Sequence, residues 1–241
     1  MMKATVLLAI CVLAWDPAAA QARRGPARRT PVVVELFTAQ GCASCNAADG
    51  MIGKIADQDA TIALTWPVDY WDYLGWKDTF AQPEFTERQH AYEHRLGLDD
   101  VYTPQVVVQG TQQVSGADAG AVLDLVSRAK RGRSASPEID FRRAGRIAVG
   151  SGRAHGAAYD VWLVRFEPHP KDVEVKAGDN RGAHVTETDV VRQLVRLGRW
   201  TGRPALYRAP AADQEGLDEV VLIQAEHVGP ILGARRKPAT P

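Results

Sequence analysis

Two cysteines separated by two residues, Cys42 and Cys45, follow closely on the run Val32-Val33-Val34-Glu35-Leu36-Phe37, and this juxtaposition limits the folds open to the chain. A nearly continuous stretch of β-branched and apolar residues reads as a strand buried on both faces. Residues 38–41 break it, and beyond them Ala48, Met51, Ile52 and Ile55 recur at helical spacing. The expectation is a cysteine pair in the first turn of a helix that follows a buried strand.

That position has chemical content. A thiolate attacks disulfides, and the free amides and partial positive charge at a helix N-terminus stabilise it. Cys42 is then the attacking sulfur and Cys45 the resolving one. Glu35, mid-strand, either shuttles the proton that Cys45 loses or is a hydrogen-bonded strand residue. Asp49 follows Cys45 by one turn, where a negative charge opposes thiolate formation, so it reads as structural or solvated. Tyr102-Thr103-Pro104-Gln105 leads into a later strand. Pro104 is either an edge-strand proline or a cis proline packed beside the cysteines, which frees the backbone of Thr103 to pair with an extended substrate.

Residues 66–80 mix Trp66, Tyr70, Trp71, Tyr73, Trp76 and Phe80 with Asp69, Asp72 and Asp78. They line a substrate groove, with Trp71, Tyr73 and Trp76 as its contacts, or form the core and caps of a long connection. The spacing of Cys42 and Cys45 also supplies half of a zinc site. His90 and His94 fall opposite the stripe Phe85, Gln89, Tyr92, Leu96, so a solvated face explains them. Three functions stay in play. The first is thiol/disulfide exchange with protein or small-molecule thiols, needing no cofactor. The second is copper or another soft metal held by reduced Cys42 and Cys45, and the third is an interaction module stapled by a permanent disulfide.

Lys3, the apolar run 4–15 and Ala18-Ala19-Ala20 have the order of a secretory signal cleaved after Ala20, which places the product in the periplasm or outside the cell, without stable membrane insertion. A lipoprotein signal at Cys11 is disfavoured by bulky Ile10. Once the signal is removed, Cys42 and Cys45 are the only thiols, in a setting where disulfides persist. Lys and Arg together number 29, as do Asp and Glu, which removes any electrostatic argument for a nucleic-acid partner.

Further along, residues 61–68 read as a strand, 83–96 as a helix stopped by Gly97, and 105–108 with 114–115 as a hairpin. Asp118 caps a third helix with Val122, Leu123, Val126 and Ala129 on its apolar face. Residues 190–200 fit helix and strand periodicity equally. Asp179-Asn180-Arg181-Gly182 reads most simply as a turn, and its sharper readings are a cover over the cysteine site or a surface that recognises a partner. His155, His169, His184 and His227 are scattered.

The segments Glu35 to Cys45, Val68 to Asp78, Tyr102 to Gln105, Asp179 to Gly182 and Ile231 to Ala234 resemble a secreted bacterial thioredoxin-like family, domain of unknown function 1223, within the thioredoxin superfamily. Asn46 and Pro67 depart from its pattern, in which proline and histidine are common at those places. The resemblance implies a thioredoxin-like fold, export and a candidate redox site; with the β-forming runs 146–149, 159–167 and 219–224, the expectation is an α/β thioredoxin-like N-terminal domain followed by a mostly antiparallel β C-terminal domain. The expected division is a signal at 1–20, a basic linker at 21–30, the first domain at 31–131, a linker at 132–137 and the second domain at 138–241.

Overall fold

Strand β1 (Val32–Thr38) is buried along its whole length. In the computed structural model, which describes residues 29–154 and 157–239, it lies inside a sheet covered on both faces. The expected signal, Cys11, His155 and nearly all of the basic linker lie outside the described residues. β1 pairs in parallel with β2 (Thr61–Pro67) and antiparallel with β3 (Gln105–Val108), which continues into the edge strand β4 (Gln112–Ser115). Strand alternation sends Val32, Val34 and Leu36 toward Ala48, Ile52 and Ile55 of helix α1 (Asn46–Ala56) and Val122 and Val126 of helix α3 (Ala119–Arg131). Val33 and Phe37 point the other way, toward Trp66 and toward Phe85 and Tyr92 of helix α2 (Pro83–Leu96).

These elements follow the order that hydrophobic periodicity dictates. Gly97 ends α2 in the left-handed conformation at φ 66°, and the Asp118 carboxylate accepts the amide of Ala121 at 2.9 Å to start α3. Two details differ. Leu123 is 47% exposed, and Leu125 takes its place in the apolar face of α3. α1 begins at Asn46 with Cys45 as its N-cap, so Cys42 lies in the turn before the helix instead of in its first turn.

The expected pairing of an α/β domain with a separate β domain is not what the chain forms. The described residues are mostly β, with thirteen strands and three α-helices. Strands from both halves share one mixed eight-stranded sheet. Its second half contains β7 (Tyr159–Glu167), β10 (Val190–Trp200), β12 (Asp218–Ala225) and β13 (Ile231–Arg236), in the order β13-β12-β7-β10-β2-β1-β3-β4. The joint is parallel, with Val190 opposite Thr65. Two physical needs create it. The outer edge of β2 has backbone groups that require partners, and the start of β10 meets them at Thr65, whose amide donates to the Asp189 carbonyl. The α2 face of the sheet carries Trp66, Phe85 and Tyr92, and Phe166, Val191 and Leu222 close over them in a single core.

A buried polar knot crosses the same joint. The Arg88 guanidinium donates to Glu35 at 2.8 Å and to the Gln224 carbonyl oxygen at 2.9 Å, and it lies over the Trp66 ring at 4.9 Å. The ambiguous stretch 190–200 is a strand, with register shifts between Val191 and Gln193 and between Arg196 and Gly198 that break strict alternation. Two smaller sheets complete the described residues. One joins β5 (Ile139–Arg142), β6 (Arg146–Val149) and β11 (Ala205–Arg208), and the other is the hairpin of β8 (Lys171–Glu174) and β9 (His184–Glu187).

Candidate functional site

Cys42 and Cys45 form a disulfide with their Cα atoms 5.4 Å apart. The turn is closed by the Cys45 amide donating to the Cys42 carbonyl at 3.1 Å, and the helix continues it as the Asp49 amide donates to the Cys45 carbonyl at 3.0 Å. Both cysteines are 0% exposed, although Ala43 and Ser44 between them face solvent. The Ser44 hydroxyl lies 3.3 Å from the Cys42 sulfur.

Gln40, two residues before Cys42, ties the surroundings together. Its backbone amide donates to Asp78 at 2.7 Å, and its side-chain amide donates to Glu187 at 3.0 Å. Its side-chain oxygen accepts from the Trp76 indole at 3.0 Å, and its backbone carbonyl accepts from the Asn180 amide at 2.8 Å. The same Asn180 nitrogen donates to the Cys42 carbonyl at 3.0 Å, while the amides of Asn46 and Asn180 exchange longer contacts. The aromatic segment holds the opposite side. The Trp71 indole donates to the Thr103 hydroxyl at 2.8 Å, and its Cβ lies beside Gly41.

The Thr103–Pro104 peptide is cis, and the Pro104 carbonyl accepts the Gly116 amide at 2.8 Å. Gly116 has no room for a side chain, because an added Cβ would stand 2.9 Å from Pro104 and 3.2 Å from Ala48. Gly116 is thereby wedged between Pro104 and the first turn of α1. Of the aromatic candidates, Trp71 and Trp76 are bound into the site, whereas Tyr73 is 78% exposed and projects from it. Glu35 lies on the α2 face with its oxygens taken by Arg88 and Tyr92, and no hydrogen bond joins it to either cysteine. His90 and His94 are exposed on α2, and His90 contacts Glu93.

The acid that accompanies the cysteines is Asp49. It is 2% exposed, and neither carboxylate oxygen has a partner at hydrogen-bonding distance. Burial pushes its carboxyl up to about 7, partly offset by the nearby Thr38 hydroxyl and reinforced by Asp78. Asp78 is also raised by burial, against three backbone amides that favour its charged form, those of Gln40, Phe80 and Ala81. Glu187 is raised well above the usual carboxylate range by burial and by the charges of Asp78 and Asp49. Sequence reasoning treated Asp49 as structural or solvated. The signal that finds it is its place beside Ala48 and Ile52 on the apolar stripe of α1, where a carboxylate has no water. Asn180 lies in the turn that the sequence offers as a cover for the cysteines, whereas Gln40 and Glu187 have no such local signal, since their roles come from segments more than one hundred residues apart.

Comparison with known proteins places this site in a wider setting. A family described as a protein of unknown function (DUF1223) matches residues 33–224. The crystal structure of a protein from Agrobacterium tumefaciens is 33% identical, covering 87% of this chain and 94% of that one, with a TM-score of 0.72. HBP35 of Porphyromonas gingivalis is similar in fold alone, at 14% identity and a TM-score of 0.61, covering 87% of this chain and 75% of that one. None of the curated proteins matches.

Proposed function

The chain belongs to the DUF1223 family of unknown function, and from the arrangement around its disulfide we propose that it is an exported thiol/disulfide exchange protein. The observation that carries this reading is Asp49, a buried carboxyl without hydrogen-bond partners, one helical turn from Cys45. A staple that never opens has no use for such a group, and burying it unpaired is costly. An exchange centre does use it. A substrate thiolate attacks the Cys42 sulfur, the Cys42–Cys45 bond breaks, and the electron pair leaves on Cys45, which takes the proton of Asp49. A second substrate thiolate then attacks the substrate sulfur of the mixed disulfide and releases Cys42 as a thiolate. Two substrate thiols are thereby oxidised to a disulfide and the protein pair is reduced. The reverse sequence reduces a substrate disulfide.

Thr103, Trp71 and Trp76 border the cysteine loop and are the residues assigned to substrate contact, with Tyr73 as an exposed outer contact. Protein or small-molecule thiols are the partners, in the oxidising compartment that the N-terminal signal implies. The full burial of both sulfurs favours a second reading, a permanent disulfide in an interaction module. Equilibration with glutathione buffers separates the two. An exchange centre titrates between about −120 and −270 mV, whereas a staple stays oxidised above about −300 mV. A Cys45→Ala variant incubated with a cysteine-containing peptide disulfide is expected to accumulate a mixed disulfide at Cys42, and Cys42→Ala to accumulate none. Equal failure of both variants to trap the peptide counts against exchange.

A further inference from the structure

A buried disulfide exchanges only after something uncovers it, and one of the hydrogen bonds to Cys42, that from Asn180, comes from a distant part of the chain. The hairpin β8–β9 forms its own two-stranded sheet, without ladder pairing to the eight-stranded one. Its base is fixed. Glu187 accepts from Gln40, and the chain leaving the hairpin is bonded to β2, where the Thr65 hydroxyl donates to the Thr188 carbonyl at 2.6 Å and the Thr65 amide to the Asp189 carbonyl at 3.0 Å; the burial of Val185 and of Val175, just past the end of β8, carries this anchoring up to the turn. Its tip is held differently. Asp179, Arg181 and Gly182 face solvent, and Asn180 alone turns inward, 5% exposed, to donate to the carbonyls of Gln40 and Cys42. Gly178 and Gly182 adopt φ of 75° and 83°, on either side of Asn180. Gly178 also lies close to Leu74 and Trp76, so the tip spans from the cysteine loop to the aromatic segment.

We propose that the β8–β9 hairpin is a latch over the Cys42–Cys45 disulfide and that Asn180 is its catch, a positioning residue that holds the cysteine loop closed until the tip lifts. The latch is a property of the exchange centre proposed above and rests on that reading for its use, although its motion does not. Beyond buried Val175, Asn180 is the one buried residue of the turn 176–183, and a turn fastened so lightly opens locally without unfolding the sheet beneath it. Each hydrogen bond of this kind contributes on the order of 1 kcal/mol net, so releasing the catch multiplies the open population by a factor of about five to tenfold or more.

The test measures the rate at which dithiothreitol reduces the disulfide in the full chain at fixed pH, together with amide hydrogen exchange. Asn180→Ala and the isosteric Asn180→Asp, which cannot donate to the two carbonyls, are expected to be reduced about tenfold faster than wild type. The Gly182 and Ala183 amides should exchange faster while those of β1 and β2 do not. Asn46→Ala, at an exposed position where the fold tolerates it, removes only the weaker reciprocal contact and is expected to accelerate reduction about twofold. Unchanged reduction rates in variants whose hairpin amides have been freed overturn the latch. So does acceleration by Trp71→Ala with none by the Asn180 variants, which makes the aromatic segment the cover. The two proposals fail separately. A pair that opens faster in Asn180→Ala yet stays oxidised throughout the glutathione range leaves the latch and removes exchange, and a pair that equilibrates with glutathione at the wild-type rate in every variant leaves exchange and removes the latch.

Discussion

The amide of Asp49 donates to the carbonyl of Cys45 at 3.0 Å, which sets a buried carboxyl one helical turn after the resolving cysteine. Its titration has a definite sign. The Asp49 carboxyl is raised from 3.8 to about 7, so on raising the pH the unfolded chain loses this proton first, and the native state binds more protons between those values. Stability from this group is therefore full below about pH 4 and falls as the pH rises toward 7, by up to about 1.4 kcal/mol per pH unit. Asp78, Glu187 and Asp189 shift in the same direction, so the slope has several contributors. Asp49→Asn is expected to flatten the decline, measured as urea midpoints of the oxidised protein from pH 4 to 8. A variant whose midpoints fall as steeply as those of wild type refutes the assignment.

Glu187 makes a second pH prediction, for the hairpin instead of the whole fold. It faces Asp49 from α1, Asp78 from the aromatic connection and Arg192 from β10, it accepts from Gln40, and its strand neighbour Lys171 is paired with Glu167. Ionisation of Glu187 places like charges together in a buried space, and the hairpin that carries Glu187 has no ladder pairing to the main sheet. Exchange of the Gly182 and Ala183 amides, corrected for intrinsic base catalysis, is expected to quicken in wild type as rising pH ionises Glu187, whose carboxyl burial holds well above the usual carboxylate range, and to lose that dependence in Glu187→Gln. The glutamine retains an oxygen for the Gln40 amide, so the comparison isolates charge.

Gly116 is predicted to be intolerant of even one added carbon. A Cβ there stands 2.9 Å from Pro104 and 3.2 Å from Ala48, neither of which is the free end of a flexible side chain. Gly116→Ala is expected to cost about 1–3 kcal/mol by forcing Pro104 away from α1. A thermal melt of the oxidised protein checks this, and an unchanged midpoint shows that the strand and helix separate at no cost.

Much of the first half was legible in its residues because each element carries its own punctuation. Pro83 and Gly97 bracket α2, Asp118 starts α3, and the run Val32 to Phe37 has nowhere to go but a buried strand. The cysteine pair was legible for the same local reason. What failed was closure. Phe85 and Tyr92 announce that α2 has a buried face, but nothing in their spacing says that Phe166 and Leu222 cover it, and nothing in β2 announces that Val190 completes its edge. Bulges in β10 hid its period, and β8 and β9 are four residues each, too short and too charged to stand out. Asn180 belongs to the same class, as a turn residue by composition whose meaning depends on a cysteine 138 positions earlier.

The shared core makes the last prediction, which concerns the first half of the chain expressed alone. A fragment ending at Gly132 keeps β1 to β4 and α1 to α3, but it loses Val164, Phe166, Val191, Val220 and Leu222, all at most 1% exposed in the intact chain. Each such side chain contributes about 1.5–3 kcal/mol by burial, comparable in sum to the whole stability of a domain. The loss also bares Trp66 and Phe85 and takes Gln224 from Arg88, leaving a guanidinium that was buried with three partners short of one. The fragment is expected to bind a hydrophobic dye, to keep helical and strand signal in the far ultraviolet, and to melt without a cooperative transition. A sharp, reversible melt in that fragment would mean that β2 and α2 close their exposed faces without the second half, and that the eight-stranded sheet is a docking of two independent cores.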